Sequence, residues 1–456
     1  MTCPYCLQPK PRTSSAFTQE KDIDTEIERV EDLISRLITE RSKLHEKNEM
    51  QSPIYSLPAE ILALIFKFAC PPVDFWGRYG LDRCLDPPEV TYPHTIGVLS
   101  AVSTRWHSAV SSMPSLWVSY IADSRDPRLM QMVFARSGNL PVSASFSLRP
   151  ASYLEQSAII NSIVREHITA RIRMLHVRGA TRNWLEQHIP RFIHLESLCL
   201  EDTWFEIELL SVNSSCTRLA LNRITCRVSL AWSKIRVFHL IDIPIDVSLE
   251  MLEKCTNLIE FRLKDPAAPG VEGVQLPSSP FILSYLELFE WPVCFNSVEG
   301  CAMLQYARMP ALQTLIWNCE GAFNGPSDAL LESFFDHFSS TLATLQIEGA
   351  KIRSGLSMLF HFLTLSGVKH LVFEECSELF IDDVFSKLAS EICMSENREM
   401  LVLPKLQSIY INDIDGHLDQ GKIFANLPTP LLVAIGFIAG EFISIRSHGR
   451  RCVLDA

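Results

Sequence analysis

Apolar residues near the N-terminus recur at alternating steps of four and three residues, which is the spacing of a helix with one apolar stripe. The stripe consists of Ile23, Ile27, Val30, Ile34, Leu37 and Leu44. Arg41 alone interrupts this a/d heptad pattern, which lasts about three heptads. We therefore predict a coiled-coil helix over residues 20–50. The pattern fits pairing with a second copy of the chain as well as packing against the chain itself.

Two further segments have helical spacing. In SLPAEILALIFKFACPP, Pro58 stands where a first helical residue tolerates proline, and Pro71-Pro72 ends the helix. A second apolar face is ended by Pro114. That face consists of Leu99, Val102, Trp106, Ala109 and Val110. Residues 73–95 between the two segments are predicted to form a polar, inserted loop.

From residue 121 the pattern changes. Residues 128–136 are expected to be helical, and the alternation over residues 142–148 predicts a strand. A six-residue motif then recurs, with apolar residues at its first, fourth and sixth positions. We call this motif the repeat phrase. Ten copies run from Ile172-x-x-Leu175-x-Val177 to Leu406-x-x-Ile409-x-Ile411, about 26 residues apart. The sixth is assigned to Leu283-x-x-Leu286-x-Leu288.

This phrase and spacing resemble the leucine-rich repeat, in which each phrase forms one strand of a shared parallel sheet. We therefore predict an α/β chain, with an N-terminal helix and small helical unit followed by an irregular solenoid with a curved parallel sheet over residues 121–456. Residues 431–445 are expected to cap its far end. Polar residues that alternate with the apolar ones would line the concave face. These candidate substrate-binding residues are Arg178, Glu201, Arg223, Lys264, Glu290, Asn318, Glu348, Glu374 and Asn412.

The two helical segments, over residues 52–120, resemble the F-box of the large F-box families of mushroom-forming fungi. The match comprises Leu57, Pro58, Glu60, Ile61, Leu62, Ile65, Phe66, Leu99, Ser100, Val102, Trp106, Pro114, Leu116 and Trp117. Ser103 stands where the family has cysteine. The resemblance implies an apolar surface that binds the small Skp adaptor of a cullin–RING ubiquitin ligase. The residues carried over for this contact are Leu57, Pro58, Ile61, Leu62, Ile65, Leu99, Val102 and Trp106.

Together the two resemblances imply a non-catalytic subunit of an SCF-type ligase, which binds a protein substrate on its repeats and the Skp adaptor at its F-box. The alternative is a protein-interaction scaffold that delivers nothing for degradation. The net charge of −12 gives no general attraction to nucleic acid or anionic membranes. With no signal peptide or membrane-spanning run, and with scattered cysteines that we interpret as reduced and buried, the cytoplasm or nucleus is expected.

The opening Cys3-Pro4-Tyr5-Cys6 looks like a glutaredoxin active site, but its surroundings do not. Such a motif needs a preceding strand and a following helix, whereas only two residues precede Cys3, and Pro9 and Pro11 follow Cys6. A zinc site would need a second ligand pair. Residues 1–19 are therefore predicted to be a disordered tail. Since no phosphate-loop, zinc-protease or nucleophile-elbow motif is present, we expect no catalytic residue, metal or cofactor.

Overall fold

Helices form the first part of the chain and a long sheet forms the rest in the computed structural model. Two units separate: residues 1–71 with 93–116, and residues 72–92 with 117–456. The boundary falls after Leu116, four residues earlier than predicted. The described residues are 14–51, 53–70, 92–122, 127–148, 166–202, 209–212, 214–224, 227–267, 279–292, 304–319, 333–337, 340–350, 367–377, 379–381, 383–384, 405–412, 442–447 and 450–454.

Helix α1 spans Ser14–Gln51 and contains no proline or glycine that would interrupt it. It begins six residues before the predicted start, so the expectation of disorder is wrong for residues 14–19. Residues 1–13, including Cys3 and Cys6, lie outside the described residues. The described side chains of the predicted apolar stripe are exposed to solvent rather than packed on the chain.

The rest of the first unit is a small helical assembly. A 3₁₀ turn at Pro53–Ser56 precedes α2 (Ala59–Ala69), α3 (Tyr92–Val102) and α4 (Thr104–Ser112), and a second turn covers Pro114–Trp117. Its core contains Leu62, Phe66, Cys70, Ile96, Val110 and Leu116. Trp106 on α4 meets Phe66 on α2 edge-on, with ring centroids 4.8 Å apart. This contact joins the two segments that the F-box resemblance had matched.

Ser103 divides what the sequence predicted as one helical face. The residue is extended, and its Oγ accepts a hydrogen bond from the Trp106 backbone N–H at 3.1 Å. It is therefore the N-cap of α4, satisfying an N–H that has no partner within the helix. As a result Leu99 and Trp106 lie on different helices. The predicted loop over residues 73–95 also ends sooner, because α3 begins at Tyr92 with Pro93 in its first turn.

The second unit is built on a sheet of short strands. The strands are β1 Ser119–Ala122, β2 Val142–Ser147, β3 Ile172–Arg178, β4 Ser197–Glu201, β5 Leu209–Ser211, β6 Arg218–Asn222, β7 Arg227–Ser229, β8 Val237–Ile241, β9 Glu260–Lys264, β10 Phe281–Ile282, β11 Leu288–Pro292, β12 Ala307–Arg308, β13 Thr314–Asn318, β14 Thr344–Glu348, β15 His370–Glu374, β16 Ser408–Asn412, β17 Phe442–Ser447 and β18 Arg450–Leu454. Helices between them are α5 Pro127–Arg136, α6 Glu166–Thr169, α7 Arg182–His188 and α8 Ile245–Lys254.

Fourteen strands form one sheet, in the order β1-β2-β3-β4-β6-β8-β9-β11-β13-β14-β15-β16-β17-β18. All neighbours are parallel except β17 and β18, which close the far edge as an antiparallel pair. The predicted cap therefore supplies a strand at residues 442–447, while residues 431–441 lie outside the described part. Two small parallel pairs, β5–β7 and β10–β12, were not predicted. The chain is thus α/β with a large parallel sheet.

Nine of the ten phrases coincide with strands in the predicted register, and their apolar residues are buried. The sixth phrase is wrong by three residues. The strand begins at Leu288, and Phe289 pairs with Phe261 on one side and Leu315 on the other. The phrase is therefore Leu286-x-x-Phe289-x-Trp291. Overlapping runs of apolar residues satisfied both assignments, and the larger aromatic side chains occupy the core.

A residue with positive φ recurs directly after many of these strands. These residues are Gly179, Asp202, Arg223, Asp242, Asp265, Gly349 and Glu375. Their N–H groups can still extend the ladder, since Asp202 donates to the carbonyl of Asn222 at 3.0 Å and Gly349 to that of Glu374 at 2.9 Å. Left-handed backbone costs about 1–2 kcal/mol at a residue other than glycine. Its recurrence shows that the chain turns away from the sheet in the same manner after these seven strands.

The described cysteines are buried thiols outside any disulfide: Cys70, Cys199, Cys216, Cys255, Cys319 and Cys376. Burial raises the pKa of Cys255 and of Cys376 to about 12, so neither is a ready nucleophile. Among the described residues no group of His, Cys, Asp and Glu could hold a metal ion. Nor does any described helix have the length and apolar run needed to cross a membrane.

Candidate functional site

Helix α2 has one apolar face directed at solvent. Ile61, Leu64, Ile65 and Phe68 follow the i, i+3, i+4, i+7 spacing and are 42%, 50%, 38% and 83% exposed. On the opposite side of the same helix, Leu62 and Phe66 are buried. One apolar side of α2 thus packs into the core of the unit, and the other side is left uncovered. We name the four exposed residues the α2 outer face. Exposed apolar groupings of this kind mark interaction surfaces.

Helix α3 exposes two more apolar side chains. Val98 is 52% exposed and Val102 is 49% exposed, whereas Ile96 on the same helix is buried. Like the α2 outer face, this pair remains uncovered within the described part of the chain. Besides the exposed stripe of α1, the first unit therefore presents apolar surface on α2 and α3.

The structure divides the predicted adaptor-binding residues into three groups. Pro58, Ile61, Ile65 and Val102 are exposed, while Leu57, Leu99 and Trp106 are half-buried. Leu62 is 1% exposed, so the prediction that it contacts a partner is wrong, because this side chain lies in the unit's own core. Trp106 packs its ring on Phe66 and also serves the core.

Three exposed residues were missed: Leu64, Phe68 and Val98. They stand outside the matched motif positions, so the resemblance could not supply them. Helical spacing could have found Leu64 and Phe68, which lie three and seven residues after Ile61. Phe68, at 83%, is the most exposed of the large apolar residues in the described part of the chain.

Arg105 fixes the segment that precedes α2. Its guanidinium donates hydrogen bonds to the backbone carbonyls of Tyr55 and Leu57 and lies over the Tyr55 ring, 5.2 Å from the centroid. The interaction links residues about fifty positions apart and sets where the Leu57-Pro58 pair enters the helix. Arginine suits this role because its planar group can donate to two carbonyls at once.

On the second unit, most of the predicted substrate-binding residues occupy equivalent places. Arg178, Glu201, Lys264, Asn318, Glu348, Glu374 and Asn412 each end a strand of the sheet. Backbone register aligns them, for example Asn318 with Glu348 and Glu348 with Glu374. We name this set the strand-end row. The Asn412 side chain lies outside the described residues.

Two predicted members of the row stand elsewhere. Arg223 follows β6 in the left-handed position, and Asn222 ends that strand instead. Glu290 is in the middle of β11, paired with Arg262, as a consequence of the corrected register. Its side chain is fully buried, so the expectation of an exposed contact residue is wrong for Glu290.

The start of the strand-end row is a network of opposite charges. Arg178 Nε donates to Asp202 Oδ2 at 2.8 Å and lies 3.7 Å from Glu201. Arg223 lies 3.5 Å from Asp202 and 3.4 Å from Asp242. Positive and negative groups therefore alternate along neighbouring repeats. This end of the row offers polar contacts with little net charge.

Further along, the face is more acidic and more deeply buried. Glu290 lies 3.4 Å from Arg262 and 3.5 Å from Lys264, and burial raises its pKa to about 7 despite these cations. Burial also raises the pKa of Glu348. By contrast, a hydrogen bond from His239 and the contact with Arg262 hold the pKa of Glu260 at about 2, against the opposing effect of burial.

Gln346 lies between two carboxylates of the same region. Its Nε2 donates to Glu348 Oε1 at 2.7 Å and to Glu374 Oε2 at 2.5 Å. Together with Arg262 and His239 it was missed, because only residues at the ends of the phrases were considered. Alternation alone would have found all three, since each stands between the second and third apolar positions.

An apolar cluster lies on β3, β4, β6 and β8, the same strands whose ends carry the first charged network. It consists of Cys199, Ala220 and Ile241, packed with Met174 and Val237. These residues lie on the face opposite the leucine core, where the sequence predicted polar contacts only. The face therefore combines two charged regions with an apolar cluster, which lies beside the first of them.

Replacing Glu290 with glutamine is expected to stabilise the chain by an amount that grows with pH from about 4.5 to about 7. Because its pKa is raised in the folded chain, the folded state keeps a proton that the unfolded state releases. The parent's free energy of unfolding therefore falls through this window, by up to about 3 kcal/mol, and levels off above it. Urea denaturation of both chains across the window measures the difference. A difference that is the same at every pH would contradict the assignment.

No protein-family model matches this sequence, and no curated protein is significantly similar to it. The two candidate binding surfaces are therefore identified from the structure of this chain alone. One is an apolar face on α2 and α3 in the first unit. The other is a polar face along the parallel sheet in the second.

Proposed function

We propose that the chain is a substrate-recognition subunit of an SCF-type cullin–RING ubiquitin ligase. The α2 outer face and the exposed valines of α3 bind the Skp adaptor, and the polar face of the repeats binds a protein substrate. The observation that carries the proposal is the apolar α2 outer face, which stands beside the Leu57-Pro58 pair. Ile61 and Ile65 belong both to this face and to the F-box motif.

The sheet of the second unit supports the part of the proposal that concerns substrate binding. The strand-end row lies along one edge of the parallel sheet, which supports binding by several repeats at once, as in the leucine-rich repeats that this phrase resembles. A partner that contacts several repeats gains many moderate interactions with the two charged regions and with the apolar cluster beside the first of them. A protein or peptide with mixed charge suits this surface.

Catalysis is assigned to other subunits of the ligase. Among the described residues, burial raises the pKa of the Cys255 and Cys376 thiols, and the carboxylate of Glu290 is paired with Arg262 and Lys264. The second candidate function is an interaction scaffold that binds a partner without delivering it. The repeats would be used in the same way under both functions.

Partner abundance in cells distinguishes the two functions. We compare the parent with the Ile65→Lys, Phe68→Lys variant and identify proteins bound by each through proximity labelling. A ligase subunit predicts that a shared partner accumulates several-fold with the variant and is ubiquitinated less, while its binding to the repeats persists. Equal partner abundance and ubiquitination with both chains would support the scaffold and refute the ligase role.

A further inference from the structure

The apolar stripe of α1 is exposed along its whole described length. Its side chains are 46–66% exposed: Ile23, Ile27, Val30, Leu33, Ile34, Leu37, Ile38 and Leu44. Nothing in the described part of the chain covers them. Apolar surface on this scale favours association, because water is released when it is covered.

We propose that α1 pairs with α1 of a second copy of the chain in a parallel, two-stranded coiled coil. In the heptad, Ile27 and Ile34 take position a, while position d is taken by Ile23 and Val30 and then by Leu37 and Leu44. The Ile34–Leu37 heptad therefore has isoleucine at a with leucine at d, the combination that favours two parallel strands. Arg41 also stands at a, where a single polar residue fixes register and strand number at some cost in stability.

The parallel orientation follows from two apolar residues outside the a/d seam. Leu33 stands at position g and Ile38 at position e, and they are 56% and 63% exposed. In a parallel coil, g of one helix faces the e residue five positions later in the other, so Leu33 of each copy packs against Ile38 of the other. In the antiparallel register that aligns Ile34 with Leu37, Leu33 would instead lie beside Glu40.

The apolar area is sufficient for a specific dimer. Burying a large aliphatic side chain removes roughly 60–120 Å² of apolar surface from water, and these side chains are about half exposed. Two copies would thus bury roughly 500–1,000 Å² of apolar surface. A standard interface buries about 1,200–2,000 Å² in total, of which somewhat more than half is apolar.

One charge pair opposes the parallel arrangement and gives it a distinctive test. Glu26, at position g, would face Glu31 of the other copy, but exposed like charges repel only weakly. Glu26→Lys turns both repulsive pairs of the dimer into attractive ones. In the aligned antiparallel register Glu26 instead faces Lys47, so the same substitution would create repulsion. The two orientations therefore predict opposite effects.

Sedimentation equilibrium of the full chain measures the dissociation constant of the dimer. We expect the parent to dimerise, Leu37→Lys to be monomeric, and Glu26→Lys to dimerise roughly fivefold more tightly. Asp32→Lys is the matched control, since Asp32 stands at the outward f position. Its carboxylate lies 2.7 Å from Arg36 on the same helix, and that of Glu26 lies 3.6 Å from Arg29, so each substitution removes one exposed intrahelical ion pair. This control should change the constant by less than about twofold.

A monomeric parent would overturn the proposal, as would a trimer or a dimer that Leu37→Lys leaves intact. Weaker association of Glu26→Lys would overturn the parallel orientation. Circular dichroism of each variant confirms that the helices are retained. The proposal does not depend on the ligase function, because none of its residues belongs to the α2 outer face or the strand-end row.

Discussion

Phe289→Ala is expected to lower the free energy of unfolding of the sheet by about 3–5 kcal/mol, whereas Leu288→Ala should cost about 1 kcal/mol or less. Phe289 is fully buried and stacks against Phe261 and Trp291, with centroids 5.6 Å and 5.8 Å away. Alanine would leave a large cavity among these rings. Leu288 is only partly buried. Urea denaturation followed by circular dichroism measures both variants.

The pair tests the register of the sixth repeat, because the two possible phrases exchange the roles of these neighbours. If Leu288 were the core residue, its replacement would be the costly one and Phe289 would tolerate alanine. Tyr285→Ala provides a control for loss of an aromatic ring outside the core, since Tyr285 is 60% exposed. It should change the free energy of unfolding by less than about 0.5 kcal/mol.

The second large effect concerns the α2 outer face. Ile65→Lys with Phe68→Lys is expected to weaken binding of the Skp adaptor by roughly a hundredfold or more, because central apolar residues each contribute about 2 kcal/mol or more to such interfaces. Both side chains point to solvent, so the free chain should keep its fold. Surface plasmon resonance with the purified adaptor measures the change.

Lys67→Glu is the matched control for this double variant. Lys67 lies on the same exposed helix between the two substituted residues but does not belong to the apolar face. Its replacement should alter adaptor affinity by less than about threefold. An equal loss for Lys67→Glu and the double variant would indicate a general effect of charge and contradict a specific apolar contact.

Spacing predicted the repeats well because their signal is redundant. Nine phrases fell on strands in the correct register, and one failed where Leu283, Leu286 and Leu288 offered an overlapping match. A pattern of apolar and polar positions does not distinguish leucine from phenylalanine, whereas in the structure the larger Phe289 side chain occupies the core. Because of the same error, Glu290 was predicted to be exposed, whereas it is buried beside Arg262 and Lys264.

The first unit shows a different limit of sequence reasoning. Leu62 and Ile61 are adjacent, equally apolar and both part of the matched motif, yet one is buried and the other is 42% exposed. Helical spacing places them on different sides, but only packing determines which side meets the core. Likewise, the motif shows that Ser103 stands where the F-box family has cysteine, but only the structure shows that its side chain caps α4.

The most direct test of the central claim is a titration of the full parent chain with the purified Skp adaptor by isothermal calorimetry. We predict one-to-one binding per chain with a negative heat-capacity change, because apolar surface on α2 and α3 becomes buried. Absence of binding by a parent chain that circular dichroism shows to be folded would contradict it. The ubiquitin-ligase function would then have to be withdrawn in favour of a scaffold.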